Sequence, residues 1–69
     1  MSTIAAFLKM KRRETNMTQE ELSAKAGVGL RLVREIEQGK TTMRVDKVNQ
    51  ILELFGMELA PQSKQSPDE

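Results

Sequence analysis

Residues 19–38 constrain the fold of this chain more than any other stretch of its sequence. They read QEELSAKAGVGLRLVREIEQ, and apolar residues recur at helical spacing on both sides of Gly27. These apolar positions are Leu22, Ala26, Val28, Val33 and Ile36. Gly27 can adopt a positive φ at a helix end without a Cβ penalty, and Ser23 is small enough to let a second helix cross closely. The pattern predicts two short helices meeting at a steep angle, the second able to enter a DNA major groove. The alternative is an ordinary corner between two helices of a small helical domain.

Helical periodicity extends to the segments before and after this stretch. We predict four helices, over residues 4–15, 19–26, 30–38 and 44–55. The second begins with the clearest local signal in the chain, because Thr18 and Glu21 have the spacing of a capping box. The expected fold is therefore a compact all-α domain.

The segment after the fourth helix has a different pattern. Met57, Glu58, Leu59 and Ala60 alternate between apolar and polar, as in a short strand. A strand needs a neighbour, and nothing else in the chain has this pattern. We therefore predict that it pairs with the same segment of a second copy, giving a homodimer with a domain over residues 1–60. Residues 61–69 are polar and lack periodicity, so we expect a disordered tail.

The composition excludes several classes of function. The chain has 69 residues, no cysteine and no histidine, so it lacks the commonest metal ligands and the commonest general base. We therefore expect neither an enzyme nor a cofactor. The net charge is only +1, but residues 1–40 carry eight Lys or Arg against five Asp or Glu, whereas residues 41–69 carry three against five. This imbalance favours a polyanionic partner for the first part. The absence of a membrane-spanning run or a signal peptide predicts a soluble, cytoplasmic protein.

Three blocks of sequence resemble the XRE, or lambda-repressor-like, helix-turn-helix family. They are MTQEEL at 17–22, AGV at 26–28 and IEQGK at 36–40, and they occur at the spacing typical of that family. The likeness extends from about residue 4 to 56 and implies a four-helix DNA-binding fold. The segment 44–59 is similar, more narrowly, to HipB-type antitoxins, which are autoregulatory repressors that pair with a HipA-type kinase toxin. One departure is Gly29, where the family often has Ser or Thr, so this chain lacks a side-chain cap there.

The resemblance and the helix geometry together suggest which residues contact DNA bases. Arg31 and Arg34 lie three residues apart on the third helix and can both face the groove, where arginine binds guanine O6 and N7. Leu30 can meet a thymine methyl group, although it can equally be a surface or core leucine. The alternative for each arginine is a solvated side chain. Glu35 either accepts from a cytosine amine, holds a neighbouring arginine or faces solvent, and we favour the last two.

A second set of residues is predicted to contact phosphates. Thr18 and Gln19 lie at the N-terminus of the second helix, where free amides and the helix dipole favour an anion. The residues after the third helix can hold the DNA backbone; they are Lys40, Thr41, Thr42 and Arg44. The alternatives are capping alone for Thr18 and ordinary loop positions for the others.

The resemblance also implies an inward ion pair between Arg12 and Glu37, which joins the first and third helices. We expect this pair to orient the third helix, the alternative being two solvated charges. Together these features predict a sequence-specific repressor that binds double-stranded operator DNA as a homodimer. The narrower resemblance implies that this repressor is an antitoxin whose partner is a HipA-type kinase toxin. A competing hypothesis is a protein-interaction module in which Leu30 and Leu32 are exposed docking residues.

Overall fold

A computed structural model of the chain describes residues 3–61 and residue 63. This part of the chain contains four α-helices: α1 (Thr3–Glu14), α2 (Gln19–Ala26), α3 (Leu30–Glu37) and α4 (Val45–Glu53). The predicted all-α, four-helix architecture is therefore confirmed, with helix ends that differ by at most two residues. Within the same residues no helix has the length and apolar character needed to cross a membrane.

The two turns that follow α1 and α2 are set by left-handed residues. Asn16 has a φ of 56° and ends α1, while the amide of Met17 donates to the carbonyl of Arg12 at 3.0 Å. Gly27 has a φ of 74° and ends α2, as its position after the apolar pattern predicted. Each turn satisfies carbonyl groups at a helix end and starts the next helix in a new direction.

The core lies where the four helices converge. Its largest fully buried side chains come from every helix and are Leu8, Leu22, Val33, Ile36 and Ile51. Helix α3 packs against both α1 and α2, and α2 also packs against α4. Because α3 rests on two helices, its orientation is fixed by apolar packing on its inner face.

The predicted strand at 57–60 is not supported by the structure. These four residues have no strand structure, and no strand occurs elsewhere in the described residues. The physical reason is that the described residues offer no neighbouring strand with which this single segment could form a ladder. Instead, Leu59 packs against the core and its amide donates to Asn49 Oδ1 at 2.7 Å. Most of the predicted tail at 61–69 lies outside the described residues.

Candidate nucleic-acid interface

Helices α2 and α3 and the turn between them form the predicted helix-turn-helix. The turn is closed by a bond from the Val28 amide to the Ser23 carbonyl at 3.0 Å. A side chain from α4 also secures it, because Gln50 Nε2 donates to the carbonyls of Ala26 and Gly27 at 2.9 and 3.0 Å. The sequence did not identify Gln50 as part of this site. Its contacts join residues more than twenty positions apart, which no local pattern indicates.

Helix α3 has one buried face and one exposed face. Val33, Ile36 and Glu37 are buried, whereas the Arg31 side chain is 92% exposed and Arg34 is also exposed. No carboxylate of the described residues forms an ion pair with Arg34. The exposed face can therefore present two arginines, one turn apart, to a groove.

The two leucines of α3 have different surroundings. Leu30 is half-buried at the start of the helix, and Gly29 before it provides no side-chain cap. Leu32 is also half-buried, but it packs against the core. The hypothesis that Leu32 is an exposed docking residue is therefore wrong, because packing between the helices holds it on the inner side. Leu30 stays a candidate base contact.

Glu35 holds the neighbouring cations, which was one of the interpretations left open by the sequence. Its carboxylate lies 3.6 Å from Arg31 Nε and 3.2 Å from Lys40 Nζ. The Glu35 side chain is only 27% exposed, much less than that of Arg31. The carboxylate thus lies between one residue that is predicted to contact a base and one that is predicted to contact a phosphate.

The N-terminus of α2 places Thr18 and Gln19 side by side, but their side chains have different partners. Thr18 Oγ1 accepts from the Glu21 amide at 3.1 Å, and Glu21 Oε1 accepts from the Thr18 amide at 2.8 Å, so the capping box is complete. The bond from the Thr18 backbone is the main reason that the pKa of Glu21 lies below its ordinary value. Gln19 turns its side chain inward, and its Nε2 donates to Glu37 Oε1 at 3.1 Å. A phosphate contact by Gln19 therefore depends on its backbone amide.

The four phosphate candidates after α3 are close in sequence and exposed. They are Lys40, Thr41, Thr42 and Arg44. Arg44 already makes two bonds to Asp46, of 2.8 and 3.2 Å, and these bonds are the main reason that the pKa of Asp46 lies below its ordinary value. Both side chains of this pair are well exposed, so water screens the pair. Arg44 can consequently exchange Asp46 for a phosphate at little cost.

Arg12 and Glu37 form a two-pronged ion pair between α1 and α3. Arg12 Nε and Nη2 donate to the two Glu37 oxygens at 2.8 and 3.0 Å, and Nη1 donates to the Met17 carbonyl at 3.1 Å. The Glu37 side chain is 4% exposed. Burial alone raises the pKa of Glu37, but bonds from Arg12 and Gln19 and the charges of Arg12 and Lys9 outweigh it, leaving the pKa below its ordinary value. The network therefore keeps a buried carboxylate charged.

Comparison with known proteins identifies this arrangement. Residues 8–61, which include all of α2, α3 and α4, match the HTH_3 helix-turn-helix family. The chain belongs to this family. Membership makes it a non-enzymatic helix-turn-helix protein of the DNA-binding transcription-regulator class. Within residues 3–61 and 63, no group of three or more His, Cys, Asp or Glu is placed to hold a metal ion.

A curated relative supports the same assignment. It is a protein of Sinorhizobium fredii (strain NBRC 101917 / NGR234) described as an uncharacterized HTH-type transcriptional regulator, y4mF. The two sequences are 43% identical over 53 residues, which span 77% of this chain and 70% of the relative. No solved structure matches the chain.

Proposed function

We propose that this helix-turn-helix protein is a repressor that recognises a specific double-stranded DNA sequence as a homodimer. The observation that carries this proposal is the exposed face of α3. This helix follows the tight turn at Gly27, and its exposed face presents Arg31 and Arg34. Arginine can donate two parallel bonds to guanine in the major groove. Buried contacts on the opposite face hold the helix firmly enough to position such groups.

The roles proposed for the remaining residues follow from their positions. Leu30, at the start of α3, is proposed to contact a thymine methyl group. The phosphate contacts come from the N-terminus of α2 and from the segment after α3, and the residues are Thr18, Gln19, Lys40, Thr41, Thr42 and Arg44. In this arrangement phosphate contacts set the position of α3, and its outer side chains select the sequence.

The proposed dimer uses the segment 57–60 together with the first helix. Ile4, Phe7 and Leu52 line a cavity of about 530 Å³ with Met57–Ala60, and Met57 is 47% exposed. Residues 1–60 then act as one DNA-binding and dimerising unit. To bind half-sites one turn of DNA apart, the two recognition helices of this dimer must lie about 34–36 Å from each other.

Sedimentation with single glutamate substitutions tests the dimer. We expect Met57→Glu to weaken association, because it places two like charges at the proposed contact. Val45→Glu is the matched control, since Val45 is an exposed apolar residue away from that cavity. A wild-type chain that stays monomeric at high concentration would exclude the dimer.

The narrower proposal is that the protein is an autoregulatory antitoxin of a HipA-type kinase. The likeness of segment 44–59 to HipB-type antitoxins supports this role, and it predicts a neighbouring reading frame for a kinase-like protein. Co-purification of the two products, with loss of kinase activity in the complex, is the expected result. A neighbouring kinase-like product that stays fully active in the presence of this chain would refute the role.

Selection from random duplexes, followed by binding to the selected site, tests DNA recognition. We expect Arg31→Ala to cost about 1–3 kcal/mol on the selected duplex and to relax base preference. Lys40→Ala should weaken every duplex alike and lower the salt dependence by about one phosphate contact. Equal losses on all sequences for Arg31→Ala would reassign that residue to the DNA backbone. Failure of the wild-type chain to bind any duplex at low salt would favour an interaction module instead.

A further inference from the structure

Glu35 occupies a position that the proposed DNA contacts leave unexplained. It lies on the third helix between a predicted base contact, Arg31, and a predicted phosphate contact, Lys40. A carboxylate at a DNA-facing surface repels phosphate, so its presence there requires another role. The closeness of both cations to one half-buried carboxylate indicates what that role is.

The ion pair between Glu35 and Arg31 involves the Nε atom of the arginine. Glu35 approaches Arg31 at Nε, 3.6 Å away, from one turn further along the helix. The guanidinium group has five N–H donors, and only one belongs to Nε. Within the described residues no hydrogen bond engages the terminal nitrogens of Arg31, so they remain available for the paired bonds to guanine O6 and N7.

Lys40 is tied to the same residue twice. Its Nζ lies 3.2 Å from a Glu35 oxygen, and its backbone amide donates to the Glu35 carbonyl at 3.1 Å. The Glu35 side chain is 27% exposed, against 92% for Arg31 and 46% for Lys40. Glu35 is thus the most enclosed of the three charged groups and the one best fixed in position.

We propose that Glu35 is a positioning residue that determines the sequence specificity of this protein. It directs the terminal nitrogens of Arg31 towards base edges and holds Lys40 at the end of α3. Its negative charge also disfavours binding of Arg31 to a phosphate. Arg31 therefore contributes little affinity for DNA that lacks the matching base. This inference rests on the proposed DNA-binding function and adds to it the source of discrimination.

The test compares binding of the full chain to its selected duplex and to a scrambled duplex of equal length. Glu35→Gln removes the charge and keeps the shape of the side chain. We expect the scrambled duplex to bind more tightly and the preference for the selected duplex to fall about twofold, which is the range for losing one exposed ion pair between helix residues four apart. A circular dichroism melt will show that the variant is folded.

Two further variants separate positioning from a simple change in net charge. Glu53→Gln is the matched control, because Glu53 is exposed, lies on α4 and has no ion pair within the described residues. It should leave the preference unchanged. In an Arg31→Ala background, Glu35→Gln should no longer alter the preference, because the group that it positions is gone.

The possible results lead to different conclusions. If Glu35→Gln strengthens both duplexes by the same factor, Glu35 is only a repulsive charge and the inference is wrong. An equal drop in preference with and without Arg31 also overturns it. If the wild-type chain binds neither duplex, the proposed function itself fails, a result that is distinguishable from both of these.

Discussion

Replacing Glu37 with alanine removes the carboxylate that joins α1 to α3. The Arg12 side chain, which is 18% exposed, then loses both of its carboxylate bonds, and the Gln19 amide loses its partner as well. Breaking a buried ion pair by removing one partner costs about 3–5 kcal/mol. Because Arg12 keeps its bond to the Met17 carbonyl and can reach some water, we expect a loss of about 3 kcal/mol, at the lower end of that range.

Thermal unfolding followed by circular dichroism measures this loss. For a domain of this size each kcal/mol shifts the midpoint by about 4–8 °C, so we expect a drop of roughly 12–24 °C. All variants should be compared at one protein concentration, because the proposed dimerisation would shift the midpoint. Glu37→Gln provides a second variant that keeps an acceptor oxygen, and its drop should be smaller than that of Glu37→Ala.

Glu14→Ala is the matched control. It also removes a glutamate from an ion pair, but Glu14 lies 3.4 Å from Lys11 with a side chain that is 54% exposed. Exposed pairs of this kind contribute about 0.2–1 kcal/mol. If Glu37→Ala and Glu14→Ala lower the midpoint by the same amount, the Arg12–Glu37 pair does not hold the helices together and the reasoning fails.

Three further predictions concern pH and the two glycines around the turn. Because the pKa of Glu37 is lowered in the folded state, unfolded chains bind its proton first as the pH falls. The wild-type chain should therefore lose the Glu37 contribution to its unfolding free energy as the pH drops below the ordinary pKa of 4.5 and through the pKa of the folded state. Glu37→Gln has no carboxylate at this position, so its unfolding free energy should fall less over the same acid range. Gly29→Ser should stabilise α3 by about 0.5–1 kcal/mol, because Gly29 has a φ of −73°, no atoms crowd its Cβ position and serine can cap the helix. Gly29→Ala tests the capping argument, which fails if alanine stabilises the domain as much as serine in urea unfolding. Gly27→Ala should destabilise the domain by about 1–2 kcal/mol, because the φ of Gly27 is 74° and a new Cβ would lie 3.1 Å from Gln50 Nε2. A urea midpoint that does not change in this variant would contradict this account.

The local parts of this structure could be predicted because their causes lie within a few residues. The capping box joins residues three apart, and both hydrogen bonds form within one helical turn. Gly27 occurs at the end of an apolar helical pattern, and its left-handed conformation follows from the lack of a Cβ. Helical periodicity likewise separates the buried Val33 and Ile36 from the exposed Arg31 and Arg34.

The contacts between helices were decided by tertiary packing. Gln19 has the sequence position of a phosphate contact, but the approach of α3 places Glu37 within reach of its side-chain amide. No local sequence pattern around Gln50 indicates its role. Its side chain donates to the carbonyl of Ala26 at the turn because α4 packs against α2. Similarly, Leu59 alternates with polar residues as in a strand, yet its amide bonds Asn49.

The sequence by itself thus determined where helices start and stop and which of their faces are apolar, since these properties depend on neighbours along the chain. Only the tertiary structure decided which polar side chains turn inward, because a polar group takes whichever partner packing places within hydrogen-bond distance. Gln19 and Glu37 illustrate this difference, as they are far apart in sequence and become neighbours only when α3 packs across α2.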